Sequence, residues 1–282
     1  MRTIFAGMLI LTFCCACNSR KGKVDSTDQL IVTSDSIEGE NSFLLADSVE
    51  TAAIPKNADE LFDDFIYNYA ANEKLQKART VFPLLYIKGG ERQFIEEKDW
   101  KHDHLFTKEN YYTLLYDKEE DMDLEKDLSL DTVVVEWLYL DVHEVRQYRF
   151  QRKNGIWMLT TIEQHSTLEE PDENFLEFFY KFANDSVFQR EHIVVPLKFV
   201  TSDPDDEFQI LETTLEVDQW FAFKPLLPVN KMTNINYGQK YSRHARQKIV
   251  DMRGIGNGFN NTLFFKRIGN EWKLVQFDDL SN

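Results

Sequence analysis

Residues 59–86 read DELFDDFIYNYAANEKLQKARTVFPLLY, and residues 172–199 read DENFLEFFYKFANDSVFQREHIVVPLKF. The two segments align without a gap. Ten of the 28 aligned pairs are identical, where about two would be expected by chance at ordinary residue usage. Farther along, residues 150–159 align on residues 265–274 and keep Phe, Arg, Trp and Leu in step. A repeat of about 110 residues has the size of a domain, so the sequence predicts two tandem domains of one fold.

The first 17 residues have the pattern of an export signal. A basic start is followed by an apolar run, residues 3–13, that is too short to stay in a bilayer as a spanning helix. Ala16-Cys17 resembles the lipobox of bacterial lipoproteins, which implies cleavage before Cys17 and attachment of a lipid to it. Cys14 is the alternative acceptor. An ordinary secretory signal cut near Ala16 is the alternative interpretation of the whole segment.

Composition excludes several classes of function. The chain has 48 Asp and Glu against 32 Lys and Arg, a formal net charge of −16. Nucleic acids and anionic membrane surfaces both require a basic excess, so neither is predicted as a partner. No cysteine follows Cys17, which leaves the exported part without disulfides, thiolate ligands or a cysteine nucleophile. We predict no cofactor and no metal site.

Residues 18–58 are predicted to be a disordered tether, because they are rich in Ser, Thr, Asp and Glu and show no sustained apolar period. About 40 flexible residues reach roughly 35 Å. Asn18 follows Cys17 where an aspartate would favour retention, so we expect a lipid anchor in the outer membrane with the domains facing the periplasm. Repeat 1 is then residues 59–166 and repeat 2 is residues 167–282.

Each repeat is predicted to begin with a helix and to end with a hairpin. Apolar residues recur at helical spacing from Leu61 to Tyr69, with Asn57 or Asp59 as the cap, and again from Phe175 to Phe182. The pattern then predicts a strand over residues 82–87, with Pro83 at its entry, and a short helix over residues 94–100. Asn154-Gly155, flanked by alternating apolar residues, predicts a tight hairpin turn.

This order of elements resembles the nuclear-transport-factor-2-like (NTF2-like), or cystatin-like, α+β cone, in which N-terminal helices pack on a curved antiparallel sheet. The segments FPLLY (82–86), DWKHDHLF (99–106) and FQRKNGIWML (150–159), together with Tyr112, are similar to an uncharacterised family of bacterial lipoproteins with this fold. The resemblance implies two tandem cones. It supplies no mechanism, because the family has no assigned activity.

His102-Asp103-His104 is the one compact group with metal-binding or acid–base character. Two histidines at i and i+2 share a face of a strand, where a third carboxylate would complete a metal site. An Asp–His pair can instead transfer a proton, as in an isomerase or dehydratase. The alternative, which we adopt, is a polar loop in which a histidine caps a helix or bonds the backbone. Repeat 2 has no equivalent group.

Four aromatic residues of repeat 1, Trp100, Tyr112, Trp137 and Tyr139, are candidates for lining a pocket, with a role in the core as the alternative. The acidic stretch 117–131 and the basic stretch 238–248 fall at matching places of the two repeats, and their opposite charge predicts an attraction. We expect a non-enzymatic module that binds a small ligand or an envelope protein. The alternative is an isomerase or dehydratase that uses a pocket of repeat 1.

Overall fold

The structure, a computed structural model, describes residues 61–203 and 205–282, without the side chains of residues 207 and 208. The predicted caps Asn57 and Asp59 lie outside these ranges, as do Cys14, Cys17 and the predicted tether. The first half has two helices and six strands: α1 Phe62–Ala71, α2 Glu73–Ala78, β1 Thr80–Lys88, β2 Glu91–Ile95, β3 Tyr111–Tyr116, β4 Thr132–Tyr139, β5 Glu144–Lys153 and β6 Ile156–Ser166.

The second half repeats this order and adds one helix. Its elements are α3 Glu173–Asn184, α4 Ser186–Glu191, β7 Ile193–Asp203, β8 Asp206–Leu215, α5 Val217–Phe223, β9 Lys231–Asn236, β10 Gln247–Gly254, β11 Asn260–Ile268 and β12 Glu271–Asp279. In the first half, a 3₁₀ turn at Glu97–Asp99 stands in place of α5. All described residues belong to one unit, Ala52–Asn282.

The first helix of each half packs an aromatic stripe on its sheet. In α1 the ring centroids of Phe62 and Tyr69 lie 5.3 and 5.2 Å from that of Phe150. The matching distances in the second half, from Phe175 and Phe182 to Phe265, are 5.4 and 5.3 Å. Burying such rings supplies most of the apolar contribution to stability. We call the sheet face that the helix covers the inner face.

The two sheets exchange strands. Sheet A has the order β2-β1-β6-β5-β4-β9, and sheet B has the order β3-β10-β11-β12-β7-β8. Five strands of each sheet therefore come from one half of the chain, and the sixth comes from the other half. Strand β9 pairs antiparallel with β4, and β3 pairs antiparallel with β10. Each half thus completes the sheet of the other.

The exchanged strands β3 and β9 contact each other through side chains and backbone. The Thr113 backbone N–H donates to Thr233 Oγ1 at 2.7 Å, and Thr233 Oγ1 in turn donates to the Thr113 carbonyl at 3.1 Å. The Leu115 N–H donates to Asn234 Oδ1 at 2.8 Å. Thr113 and Thr233 are each the third residue of their strand, so the contact lies near a pseudo-twofold axis between the halves.

Three local expectations from the sequence need correction. Residues 94–100 do not form a helix; they form the end of β2, which pairs with β1, and the 3₁₀ turn. Strand β1 begins at Thr80, and Pro83 lies where the register between β1 and β6 shifts, a place where a missing N–H is tolerated. Each sheet also contains one parallel pair, β1 with β6 and β7 with β12, and is therefore mixed.

The Asn154-Gly155 turn forms as predicted. Asn154 and Gly155 have φ values of 52° and 82°, the left-handed geometry of a two-residue hairpin that matches the twist of its strands.

The acidic and basic stretches meet inside the protein. Lys248 is buried, with 1% of its side chain exposed, and its Nζ bonds the carboxylates of Asp117 and Asp172. Asp117 follows the exchanged strand β3, and Asp172 precedes α3. The second Asp117 oxygen accepts the Ser242 N–H at 2.9 Å. The opposite charges noted in the sequence therefore stabilise the junction between the two halves.

Candidate functional site

A cavity of about 270 Å³ opens on the inner face of sheet A. Strands β1, β5 and β6 contribute one wall, and the loop after the 3₁₀ turn contributes the other. Trp100 and Asp103 of the predicted candidates line it. The remaining lining residues include two cations, Lys101 and Arg146, and two tyrosines, Tyr86 and Tyr148.

The loop that carries Trp100 and Asp103 is held by a buried glutamine of α2. Trp100 Nε1 and the Asp103 N–H both donate to Gln76 Oε1, at 3.0 and 2.8 Å, and Gln76 Nε2 donates to the Asp103 carbonyl at 2.7 Å. In the second half, Trp220 Nε1 donates to Gln189 Oε1 at 3.1 Å. The Gln–Trp bond belongs to the scaffold that both halves share, so Trp100 serves both the scaffold and the cavity wall.

The corresponding positions of the second half carry phenyl rings. Tyr86, Ile162 and Tyr148 face one another across sheet A, and the same register in sheet B brings together Phe199, Phe277 and Leu263. The Phe199 and Phe277 centroids are 5.2 Å apart. Phe223 contacts Phe199, and Trp220 contacts Phe277. Phe223 follows Trp220 by three residues, as Asp103 follows Trp100 in the first half. The cavity of the first half is therefore not a requirement of the scaffold.

Asp103 and Tyr148 form a hydrogen-bonded pair at the cavity. The Tyr148 hydroxyl donates to Asp103 Oδ2 at 2.7 Å, and the Leu105 N–H donates to Asp103 Oδ1 at 2.8 Å. Burial, followed by the nearby Asp103 charge, raises the pKa of Tyr148. Tyr148 therefore stays protonated and acts as a donor, while both Asp103 oxygens already accept hydrogen bonds.

Arg146 is the cation that β5 contributes to the cavity wall. Its Nη2 donates to Gln164 Oε1 at 3.1 Å, and the same oxygen accepts the Tyr86 hydroxyl at 2.9 Å. Gln164 Nε2 donates onward to Glu144 Oε2 at 2.7 Å. Arg146 Nε is buried and has no hydrogen-bond partner in the described part of the chain. No ion pair joins Arg146 to a carboxylate within those residues.

The two histidines lie at the end of α1 and do not line the cavity. His102 Nε2 and His104 Nδ1 lie 2.8 and 3.3 Å from the Ala70 carbonyl, with their ring centroids 4.3 Å apart. They bond the backbone of the helix C-terminus, where carbonyls lack partners within the helix. Within residues 61–203 and 205–282, no three His, Cys, Asp or Glu side chains form a cluster that would hold a metal ion.

The other aromatic candidates are distributed between core and surface. Tyr112 is buried in the core that α1 covers and packs on Phe106 at 5.1 Å. Trp137 lines a second cavity of about 220 Å³ beside the crossing of β3 and β9, with Lys231 Nζ 4.5 Å from its ring centroid. Tyr139 is partly buried against the same core. These three residues do not line the first cavity.

Sequence reasoning missed Tyr86, Arg146 and Tyr148. The signal that would have found them is the contrast between aligned positions: Tyr86 aligns on Phe199, Arg146 on Asn261 and Tyr148 on Leu263. At these inner-face positions the first repeat has a hydroxyl or a charge that the second repeat lacks. The shared fold therefore does not require those groups.

Comparison with known proteins identifies the family. The model for a domain of unknown function (DUF4348) matches residues 42–279. An NTF2-like protein from Bacteroides fragilis NCTC 9343, solved by crystallography, is 53% identical, with a TM-score of 0.76; the match covers 80% of this chain and 98% of that chain. No curated protein matches. In the described part of the chain, no helix is long and apolar enough to span a membrane. The α+β fold of tandem NTF2-like domains is confirmed, and the chain belongs to the DUF4348 family.

Proposed function

We propose that this protein is a non-enzymatic binding module and that the cavity of its first half holds a small organic molecule. The observation that carries the proposal is the contrast between the halves. At the register-matched positions the second half has the stacked rings of Phe199 and Phe277, whereas the first half has a cavity of about 270 Å³. That volume corresponds to roughly nine water molecules at about 30 Å³ each. A shared scaffold that carries stacked rings in one copy and a cavity in the other favours binding at the cavity.

We also propose that the domains are held at the outer membrane by a lipid on Cys17 and face the periplasm. Support comes from the sequence alone: the export-signal pattern, the Ala16-Cys17 pair and Asn18 after it. In this arrangement the ligand would be a small molecule of the envelope. A protein partner is the alternative that the sequence leaves open.

The isomerase or dehydratase alternative rests on Asp103, which lines the cavity. Its two carboxylate oxygens accept hydrogen bonds from Tyr148 and Leu105, and the neighbouring histidines bond Ala70. All three side chains are thus engaged in hydrogen bonds that orient groups of the protein itself. The arrangement therefore favours Asp103 as a residue that positions Tyr148, and binding over catalysis.

Affinity selection tests the binding proposal. The full-length protein is incubated with a small-molecule extract of bacterial envelopes, and retained compounds are identified by mass spectrometry. The variant Ile162→Phe places a phenyl ring where the second half has Phe277, and it should retain none of the compounds that the wild type retains. Ile156→Phe is the matched control, because Ile156 lies on the same strand but is 39% exposed and outside the cavity. Equal retention by wild type and Ile162→Phe would contradict binding in this cavity.

A further inference from the structure

We propose that the molecule held in this cavity carries a carboxylate and that Arg146 is the residue that binds it. This inference rests on the proposed binding function and adds the chemical class of the ligand. It comes from the hydrogen bonds that Arg146 leaves unmade and from the shape and polarity of the walls around it.

Arg146 is a partly buried cation with unused donors. A guanidinium has five N–H groups in a planar fork that matches a carboxylate. The structure gives one donor bond, from Nη2 to Gln164, and the Tyr148 hydroxyl lies near enough to share a second. Nε is enclosed by protein and has no partner there. An anionic ligand in the cavity would therefore bind through the remaining Nη donors of this cavity-lining side chain.

The sheet itself does not require a cation at this position. Arg146 pairs with Trp137 and Gln164 in the strand register, and the matching residue of sheet B is Asn261, which bonds Asp279 Oδ1 at 3.1 Å. The second half is thus satisfied by a neutral amide where the first half has a guanidinium. Two carboxylates reach Arg146 only through an intervening side chain: Glu144 through Gln164 and Asp103 through Tyr148.

The other walls restrict the body of the ligand. Tyr86, Trp100, Tyr148 and Ile162 contribute three aromatic rings and a branched apolar side chain to the lining. Aromatic and branched apolar walls favour a compact apolar or aromatic group. Asp103 lies in the same lining, where Tyr148 and Leu105 stabilise its carboxylate by hydrogen bonds, and the exposed Lys101 and Asp99 have opposite charges. The class that fits is a short alkyl or aryl carboxylic acid.

The test uses probes that differ only in charge. Benzoate, phenylacetate and hexanoate are each titrated against the full-length protein alongside benzamide, phenylacetamide and hexanamide, with tryptophan fluorescence as the readout, since Trp100 lines the cavity. At least one acid should bind roughly tenfold more tightly than its amide, the increment of a charge-assisted hydrogen bond. Arg146→Gln should abolish this preference. Arg146→Lys should weaken binding of the acid while keeping some preference for it, because lysine retains the charge and loses the fork.

Arg149→Gln is the matched control. Arg149 lies three residues along β5, lines a separate cavity with Glu136 and Gln147, and should leave the preference for acids unchanged. Unaltered circular dichroism spectra of the variants exclude unfolding as the cause. If amides bind as well as acids, or if Arg146→Gln keeps the preference, the carboxylate proposal is wrong while binding itself stands. If none of the six probes binds, the carboxylate proposal fails. The affinity selection, which compares the compounds retained by the wild type with those retained by Ile162→Phe, then decides separately whether the binding proposal also fails.

Discussion

Two carboxylates at matching positions of the sheets, Glu136 and Asp251, have different environments. Asp251 pairs with Arg253 Nε at 2.7 Å and accepts the Thr262 hydroxyl at 3.0 Å. Glu136 instead accepts only amide donors, from Asn234 at 2.7 Å and Gln147 at 2.8 Å. Burial, with a smaller effect of nearby acids, raises the pKa of Glu136 to about 7. Glu136 therefore titrates near neutral pH.

This raised pKa predicts a pH dependence of stability. In the unfolded chain Glu136 releases its proton near its ordinary pKa of 4.5, whereas the folded chain holds the proton until about pH 7. Stability from this group is fully present below pH 4.5 and is lost as pH rises to about 7, by roughly 3–4 kcal/mol at most. Glu136→Gln should remove this decline. Urea unfolding at pH 5 and pH 8 measures it.

The exposed Glu97→Gln serves as the control for Glu136→Gln and should decline between pH 5 and pH 8 as the wild type does. An undiminished decline in Glu136→Gln would show that Glu136 does not hold the proton.

Some residues of the candidate site are predictable from the sequence, and others are not. Trp100 and Asp103 were candidates from residue type alone, and both line the cavity. The histidines beside Asp103 have the residue types of a site, yet their rings face the end of α1. Which side chains of one loop face inward depends on Gln76, a contact across 27 positions of the chain that no local pattern records. Arg146 was missed because it looks like an ordinary residue of an alternating strand.

Among the elements, the exchanged strand β3 is secured at its end by Asp117. The buried Lys248 on β10 holds this carboxylate together with Asp172, so one ammonium group compensates two acids. Burial, only partly offset by Lys248, raises the pKa of Asp172 to about 6. Removing one member of a buried ionic group costs more than the group contributes, because the remaining charges lose their partner.

Lys248→Met should therefore lower the free energy of unfolding at pH 7 by about 3–5 kcal/mol, since two carboxylates stay buried without a cation. Guanidinium-induced unfolding followed by fluorescence measures the loss. Adding Asp117→Asn and Asp172→Asn to Lys248→Met should recover part of it. Lys126→Met, at an exposed pair with Asp123, is the control and should change little. A Lys248→Met variant as stable as the wild type would contradict a stabilising role for this cluster.

Element types were predictable where the local pattern is strong, as in the aromatic helices and the Asn154-Gly155 hairpin. Strand partners were not. Strands β3 and β9 occupy the same place in their repeats. Each has an alternation of side chains that would suit pairing within its own half as well as pairing with the other half. Periodicity therefore does not distinguish the exchanged from the unexchanged pairing. Strand β2 is not predicted, and its last two residues fall within the predicted helix 94–100, because an exposed edge strand has no buried alternation.

Taken as a whole, the molecule is two NTF2-like cones that do not separate as units. Residues 59–166 contribute five strands to sheet A and leave β3 without its partner β10. We expect this segment, produced alone, to form no stable monomer and to assemble as a dimer by reciprocal exchange of β3, or to stay unfolded. Light scattering coupled to size exclusion measures the mass.

Co-production of residues 59–166 and 167–282 as separate chains should give a one-to-one complex with the circular dichroism spectrum of the intact protein. A folded monomer of either segment, at concentrations where the complex is stable, would contradict the exchange.

The exchange of strands also determines when each sheet can be completed during synthesis. Synthesis proceeds from the N-terminus, and 64 residues lie between Ser166, the end of the fifth strand of sheet A, and Lys231, the start of the sixth. Until β9 emerges, β4 has one row of backbone N–H and C=O groups without a partner, the kind of edge at which chains aggregate. The first cone can be finished only when most of the second has been made, and until then its open edge is exposed to other nascent chains.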